Sequence, residues 1–173
     1  SLLWSSAALI ANNTVFVGAL DRATQPSSWL VALDLHSGAE RWRTRFGGGL
    51  PLPFETSTGQ LPDPETWLAC TRPAYTARML LIGDNLGTLA ALDGETGQPA
   101  WVYRYQRRRA VNTSRFGQSS LRRGWHNAAI HVSGGRFVVA PEDSDQAFCF
   151  FTNLSPVADR PLGHVNFVLN SVW

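Results

Sequence analysis

A chain of 173 residues is long enough for one ordinary domain, which buries about 70% of its unfolded surface on folding. Its 44% hydrophobic and 16% charged residues exclude a disordered segment, and no apolar run approaches membrane-spanning length. All 15 basic residues are arginine, and a net charge of +2 is too small to imply nucleic-acid binding by itself.

In chain order, Ser1 with no charged-then-apolar leader after it reads as a processed chain or a piece of something longer. Trp4 reads as the end of a preceding unit. Thr14–Gly18 is β-rich, and the stretch Ala32–Trp42, ALDLHSGAERW, follows it. Gly47–Pro73, rich in Pro, Gly and Thr, reads as a long excursion between strands. Met79–Gly83 is again β-rich and is closed by a turn at Asp84–Gly87. Ala91–Trp101, ALDGETGQPAW, then repeats the earlier skeleton 59 positions on. Arg136–Ala140 aligns on Arg78–Gly83, the turn PEDSD replaces DNLG, and Gln146–Phe151 takes the place of the ALD strand. This third copy is decayed, and Trp173 reads as its end. Three units are expected at about 5–42, 43–101 and 102–173.

Leu30–Phe46 aligns on Leu89–Tyr105 without a gap, with seven of 17 positions identical and concentrated on Asp, Gly and Trp. Each repeated residue has a physical reason. The run TLAALD is short, apolar and without helical spacing, so it reads as a strand buried on both faces. Asp34 and Asp93 at the strand ends can bond backbone N–H groups two residues on, and Ser37 or Thr96 can add a weaker bond of the same kind. Gly38 and Gly97 supply the positive φ that the hairpin needs. Trp42 and Trp101 follow on the returning strand, where each buries a large face and still needs an indole N–H partner. Ala32 and Ala91 leave room for something bulky. The unit is a β-hairpin with an aromatic anchor that it cannot bury alone.

The pattern A-x-D-x-x-[TS]-G-x-x-x-W resembles the tryptophan-docking motif of pyrroloquinoline-quinone-like repeat β-propellers. The resemblance implies an all-β chain of about three four-stranded antiparallel blades, each tryptophan docking against the next blade. Such propellers usually have six to eight blades, so three imply part of a larger propeller, completed by missing blades or by other protein chains.

The family's quinone-dependent dehydrogenases hold calcium with carboxylate and amide oxygens, and the alcohol dehydrogenases carry a disulfide of adjacent cysteines. This sequence has neither a Cys-Cys pair nor a haem-attachment motif, and Asp34 and Asp93 are assigned to turns. Cys70 and Cys149, 79 residues apart, match no metal or redox spacing and read as buried free thiols in preference to a disulfide. Glu142, Asp143 and Asp145 fit a solvated turn better than a calcium site. His126 and His131, five apart, fall on opposite faces of an extended strand. No catalytic residue, cofactor or metal is therefore expected. The segment from Arg104 to Arg123 holds seven arginines (Arg104, Arg107, Arg108, Arg109, Arg115, Arg122 and Arg123) and no acidic residue. A solvated loop is the ordinary reading, and an anionic protein or lipid surface is the functional one.

The expected function is a non-catalytic scaffold or protein-docking surface in a larger assembly. A periplasmic or otherwise extracytoplasmic place is implied by the resemblance alone. Two alternatives stand beside it: a fragment of a quinone-dependent dehydrogenase, and the ligand-sensing propeller of a signalling protein.

Overall fold

The structure, a computed structural model, describes residues 2–21, 27–48, 70–85, 87–106, 129–141, 144 and 146–151, with the backbone of 165–168. Among these residues every regular element is a strand, and the strands form three antiparallel sheets.

The first sheet holds β1 (Leu2–Trp4), β2 (Leu9–Ala11), β3 (Thr14–Asp21), β4 (Ser27–Asp34) and β5 (Glu40–Gly48). β1 and β2 lie on the same side of β3, one against Ala19–Asp21 and the other against Thr14–Phe16. They act as one interrupted edge strand, so the sheet keeps a four-strand plan with five strands. Trp4 lies in β1 opposite Ala19 and belongs to this sheet, where the spacing alone had placed it in a preceding unit. The second sheet is β6 (Ala74–Thr76), β7 (Met79–Asp84), β8 (Thr88–Asp93) and β9 (Pro99–Arg104). The third is β10 (His131–Ser133), β11 (Arg136–Val139), β12 (Gln146–Phe151) and β13 (Val165–Val168).

One backbone device opens all three. Asn12-Asn13, Ala77-Arg78 and Gly134-Gly135 each have positive φ at both positions, joining β2 to β3, β6 to β7 and β10 to β11. Two left-handed residues in a row match the twist of a two-residue hairpin. The asparagine and glycine pairs suit that conformation. Ala77 and Arg78 do not, and so nothing in the sequence marked this turn.

The sheets stack face to face. From β7 and β8, Leu80, Ile82, Ala90 and Leu92 pack with Phe16, Leu30, Ala32 and Phe46 of the first sheet. Met79, Leu81, Leu89 and Ala91 point the other way and pack with Phe137, Val139, Phe148 and Phe150 of the third. The run TLAALD is thus buried on both faces, as its continuous apolar character requires.

The third sheet corrects the sequence alignment by one residue. Arg136 stands opposite Ser133 and Phe151, as Met79 stands opposite Thr76 and Asp93, so Arg136 takes the place of Met79 and not of Arg78. A slip of one would turn Phe137 and Val139 out of the core. The same register sets Val165 opposite Cys149, as Trp101 is set opposite Ala91. Val165 therefore holds the tryptophan's place in the third sheet, and Trp173 lies outside the described residues.

Candidate docking site

The two motif turns are built alike, bond for bond. Asp34 Oδ1 accepts the His36 and Ser37 amides and the Ser37 hydroxyl at 2.9–3.1 Å. Asp93 Oδ1 accepts the Glu95 and Thr96 amides and the Thr96 hydroxyl over 2.8–3.1 Å. The Gly38 amide donates to Asp34 O, and the Gly97 amide to Asp93 O, at 2.9 and 2.8 Å. Both glycines are left-handed, with φ of 70° and 72°. β4 and β8 each carry an irregularity one residue after the motif alanine.

That turn aims the tryptophan. Ala32 is directly opposite Trp42, and Ala91 opposite Trp101, so each indole has a methyl-sized neighbour across the ladder. Trp42 leaves its own sheet to cover Gly97 of the second: a Cβ built on Gly97 would sit 2.5 Å from Cε3 of the indole. Thr44, two residues on, donates its hydroxyl to Gly97 O at 2.6 Å. Phe16 flanks the indole at 5.9 Å and stacks on Tyr75 of the second sheet at the same distance. Gly97 is thus needed twice, for its φ and for the close approach of a ring. Sequence reasoning found only the first need, because the second depends on a residue 55 positions earlier. The buried Trp42 Nε1 has no hydrogen-bond partner, so packing alone holds the ring.

Trp101 makes the corresponding contact with the third sheet by a different route. It stacks on Phe150 at 4.6 Å, and Tyr103 meets Phe148 and Phe150 edge-on at 5.5 and 5.7 Å. Aromatic stacking does there what glycine does at the first interface.

No protein-family model matches the chain, and no curated protein matches it in sequence. Solved structures do. The quinohemoprotein alcohol dehydrogenase from Comamonas testosteroni superposes with a TM-score of 0.51 and 18% identity, over 96% of this chain and 29% of that one. A europium-containing methanol dehydrogenase gives 0.53 and 16%, over 89% of this chain and 24% of that one. The fold is that of a β-propeller. BamB from Moraxella catarrhalis superposes more loosely, with a TM-score of 0.48 and 24% identity over 84% of this chain. The chain spans 36% of BamB, and it spans 29% and 24% of the two dehydrogenases, a share that fits a propeller segment.

In this segment the electrostatics of the motif serve the turns. The Arg41 guanidinium, 2.6 Å from Asp34, together with the Ser37 amide and hydroxyl, holds the Asp34 carboxyl far below the usual carboxylate range. Burial pulls the Asp93 carboxyl upward, but the Thr96 and Glu95 amides, the Thr96 hydroxyl and Arg78 outweigh it and hold it below its ordinary value. Among the described residues no group of three His, Cys, Asp or Glu could hold a metal ion. His131 is exposed on β10, while His126, Glu142, Asp143 and Asp145 lie outside the described residues.

Of the seven arginines, Arg104 is exposed at the end of β9, and the other six lie outside the described residues. Cys70 and Cys149 are buried free thiols in different parts of the stack. Burial pushes the Cys70 thiol up to about 12, which makes it a packing group and not a nucleophile.

One polar contact between sheets was not foreseen. Asp84, wholly buried, accepts the Thr88 amide on one oxygen, as its turn position predicts, and the Ser28 hydroxyl of the first sheet on the other, both at 2.9 Å. Ala19 stands at the corresponding place in the first sheet, so the repeat gave no signal for it.

Proposed function

We propose that the chain is a non-catalytic propeller segment that serves as a scaffold or docking surface within a larger extracytoplasmic assembly. Its units, about 5–42, 43–101 and 102–173, each follow one sheet, whose strands overrun those bounds at Leu2–Trp4, at Gly48 and at Arg104. One observation carries the reading: each repeated residue from the motif alanine to the motif tryptophan is committed to packing or to a turn. Asp34 and Asp93 each hold three turn donors on one oxygen and face an arginine with the other, Gly97 underlies an indole, and Trp42 and Trp101 pack against the two intersheet cores. A carboxylate engaged by turn donors on one oxygen and by an arginine on the other has little left to give a metal or a substrate. The arginines from Arg104 to Arg123 supply this reading's candidate contact with an anionic protein or lipid surface. Calorimetric titration of the chain with pyrroloquinoline quinone and with calcium tests it. No site of micromolar affinity is expected for either, and finding one would return the chain to the dehydrogenases.

A further inference from the structure

The edge strands β5 and β9 occupy the same place in their sheets, yet only one of them is guarded by charge. Trp42 and Trp101 correspond, which sets Arg41, Arg43 and Arg45 of β5 against Ala100, Val102 and Arg104 of β9. The three β5 arginines are exposed, and each has a contact within the first sheet. Arg41 meets Asp34 at 2.6 Å, Arg43 meets Glu40 at 3.0 Å, and Arg45 reaches Gly47 O at 3.4 Å. A row of charges along an edge keeps another strand from adding to it. At β9 that row begins with a methyl and an isopropyl group, and Val102 is 48% exposed.

The main chain of β9 is placed for pairing at the same residues. The Tyr105 amide donates to Gly87 O at 3.0 Å, so Tyr105 and, two residues back, Tyr103 turn their main-chain groups toward β8. The N–H and C=O of Val102 and Arg104 therefore point away from the sheet. β9 ends its sheet, and among the described residues no strand pairs with those groups.

Charge names the occupant. Arg104 is exposed at the end of β9, and from it to Arg123 the chain has no acidic residue. A strand laid antiparallel on β9 sets one residue opposite Arg104 and, two residues later, one opposite Val102. Both exchange main-chain bonds with their partners, and both side chains lie on one face. Asp or Glu complements the first position, and a β-branched or aromatic residue complements the second. β9 itself, PAWVYR, holds no acidic residue, so a second copy of this strand does not supply the first.

We propose that the outer edge of β9 takes an extended strand from a partner protein, paired antiparallel through the main chain. That strand carries an acidic residue against Arg104 and, two residues on, an apolar residue against Val102. The inference rests on the docking reading and deepens it by giving the partner's chemistry.

The test titrates the full chain against the fluorescent peptide TTETVTT, capped at both ends, and reads binding by anisotropy. N-methylation of the peptide's valine should weaken binding by about tenfold or more, because that N–H faces Val102 O. N-methylation of the threonine just before the valine should leave affinity unchanged, because that N–H points to solvent. Val102→Pro should weaken binding as the methylated valine does. Its N–H takes no part in the ladder to β8, so the denaturation midpoint should hold. A peptide with lysine in place of the glutamate should bind poorly to the natural chain and recover on Arg104→Glu. No binding of the unmodified peptide at millimolar concentration, equal binding of the two methylated peptides, or no gain by the lysine peptide on Arg104→Glu overturns the proposal. So does a dimer of the chain that Val102→Pro dissociates, since a second copy would then hold the edge. Any of these failures leaves the non-catalytic reading standing, because that reading falls on quinone or calcium binding instead.

Discussion

Gly38 and Gly97 share a motif, a φ and a hydrogen bond, yet they stand in different surroundings, and this makes them a matched pair. Alanine at either position incurs the left-handed penalty of about 1–2 kcal/mol. Only at Gly97 does the new methyl also meet Trp42, where overpacking adds about 1–3 kcal/mol. Gly97→Ala should therefore destabilise the chain by that extra amount relative to Gly38→Ala, read from urea denaturation; equal losses would show that the indole does not rest on Gly97. The two turn aspartates predict a pH dependence. Their folded carboxyls lie below the ordinary value, so the unfolded chain binds protons first as pH falls. The stability they contribute is complete above the unfolded value of about 4 and is lost below it, as pH falls toward the folded values. Thermal midpoints should drop from pH 5 toward pH 2, and Asp34→Asn should flatten that drop. At this scale the sequence was legible wherever a residue acts within its own turn. It was not legible where a residue acts across sheets, as Gly97 and Asp84 do, because partners 55 and 56 positions away leave no local pattern.

Among the elements, the middle strands and the motif strands were readable from apolar runs and repeated residues, whereas the three short edge strands β2, β6 and β10 were not. Each has three residues, too few to show a period, and its turn is diagnostic only where Asn or Gly writes it. The Ala77-Arg78 turn shows what that concealment costs. Ala77 at φ 46° bears left-handed strain without a turn former's compensation. Ala77→Gly or Ala77→Asn should stabilise the chain by about 1 kcal/mol, seen as a higher denaturation midpoint at unchanged slope. Arg78 is a poorer place to test this, because its guanidinium reaches Glu95 at 2.8 Å and Asp93 at 3.5 Å. The third sheet was the hardest to read because stacking replaced the motif. Phe150 meets Trp101 where the first interface uses glycine, and a pattern search tuned to Gly and Asp passes over an aromatic solution. Trp42→Ala should cost roughly 3–5 kcal/mol, the scale for a large aromatic at a packed contact. Its indole N–H has no partner to lose, so Trp42→Phe should recover most of that loss.

For the whole molecule, charge distribution says more than net charge. The chain is +2 overall, yet seven of its 15 arginines fall between Arg104 and Arg123 with no acidic residue among them, and without those seven it would be net acidic. The segment starts at the exposed Arg104, where β9 ends, and leads toward the third sheet at His131. Arg107, Arg108 and Arg109 are consecutive, and adjacent guanidinium groups repel one another unless water or an anionic surface spreads their charge. Ion pairs of exposed side chains within the chain would relieve this little, by at most ~1 kcal/mol each. An anionic surface engages all of them at once: each arginine near it contributes about 1 kcal/mol and can bind carboxylate or phosphate with two parallel hydrogen bonds. The chain should therefore bind vesicles of anionic phospholipid and not neutral ones, and the binding should weaken as salt rises and screens the charges. Replacing Arg107, Arg108 and Arg109 together by Ser should weaken that binding by roughly 100-fold, the equivalent of three such contributions, with the denaturation midpoint unchanged. Cosedimentation measures the first and urea denaturation the second. Equal binding by the triple variant, or binding indifferent to salt, would leave these arginines as ordinary solvated charges and remove the anionic partner from the proposed function.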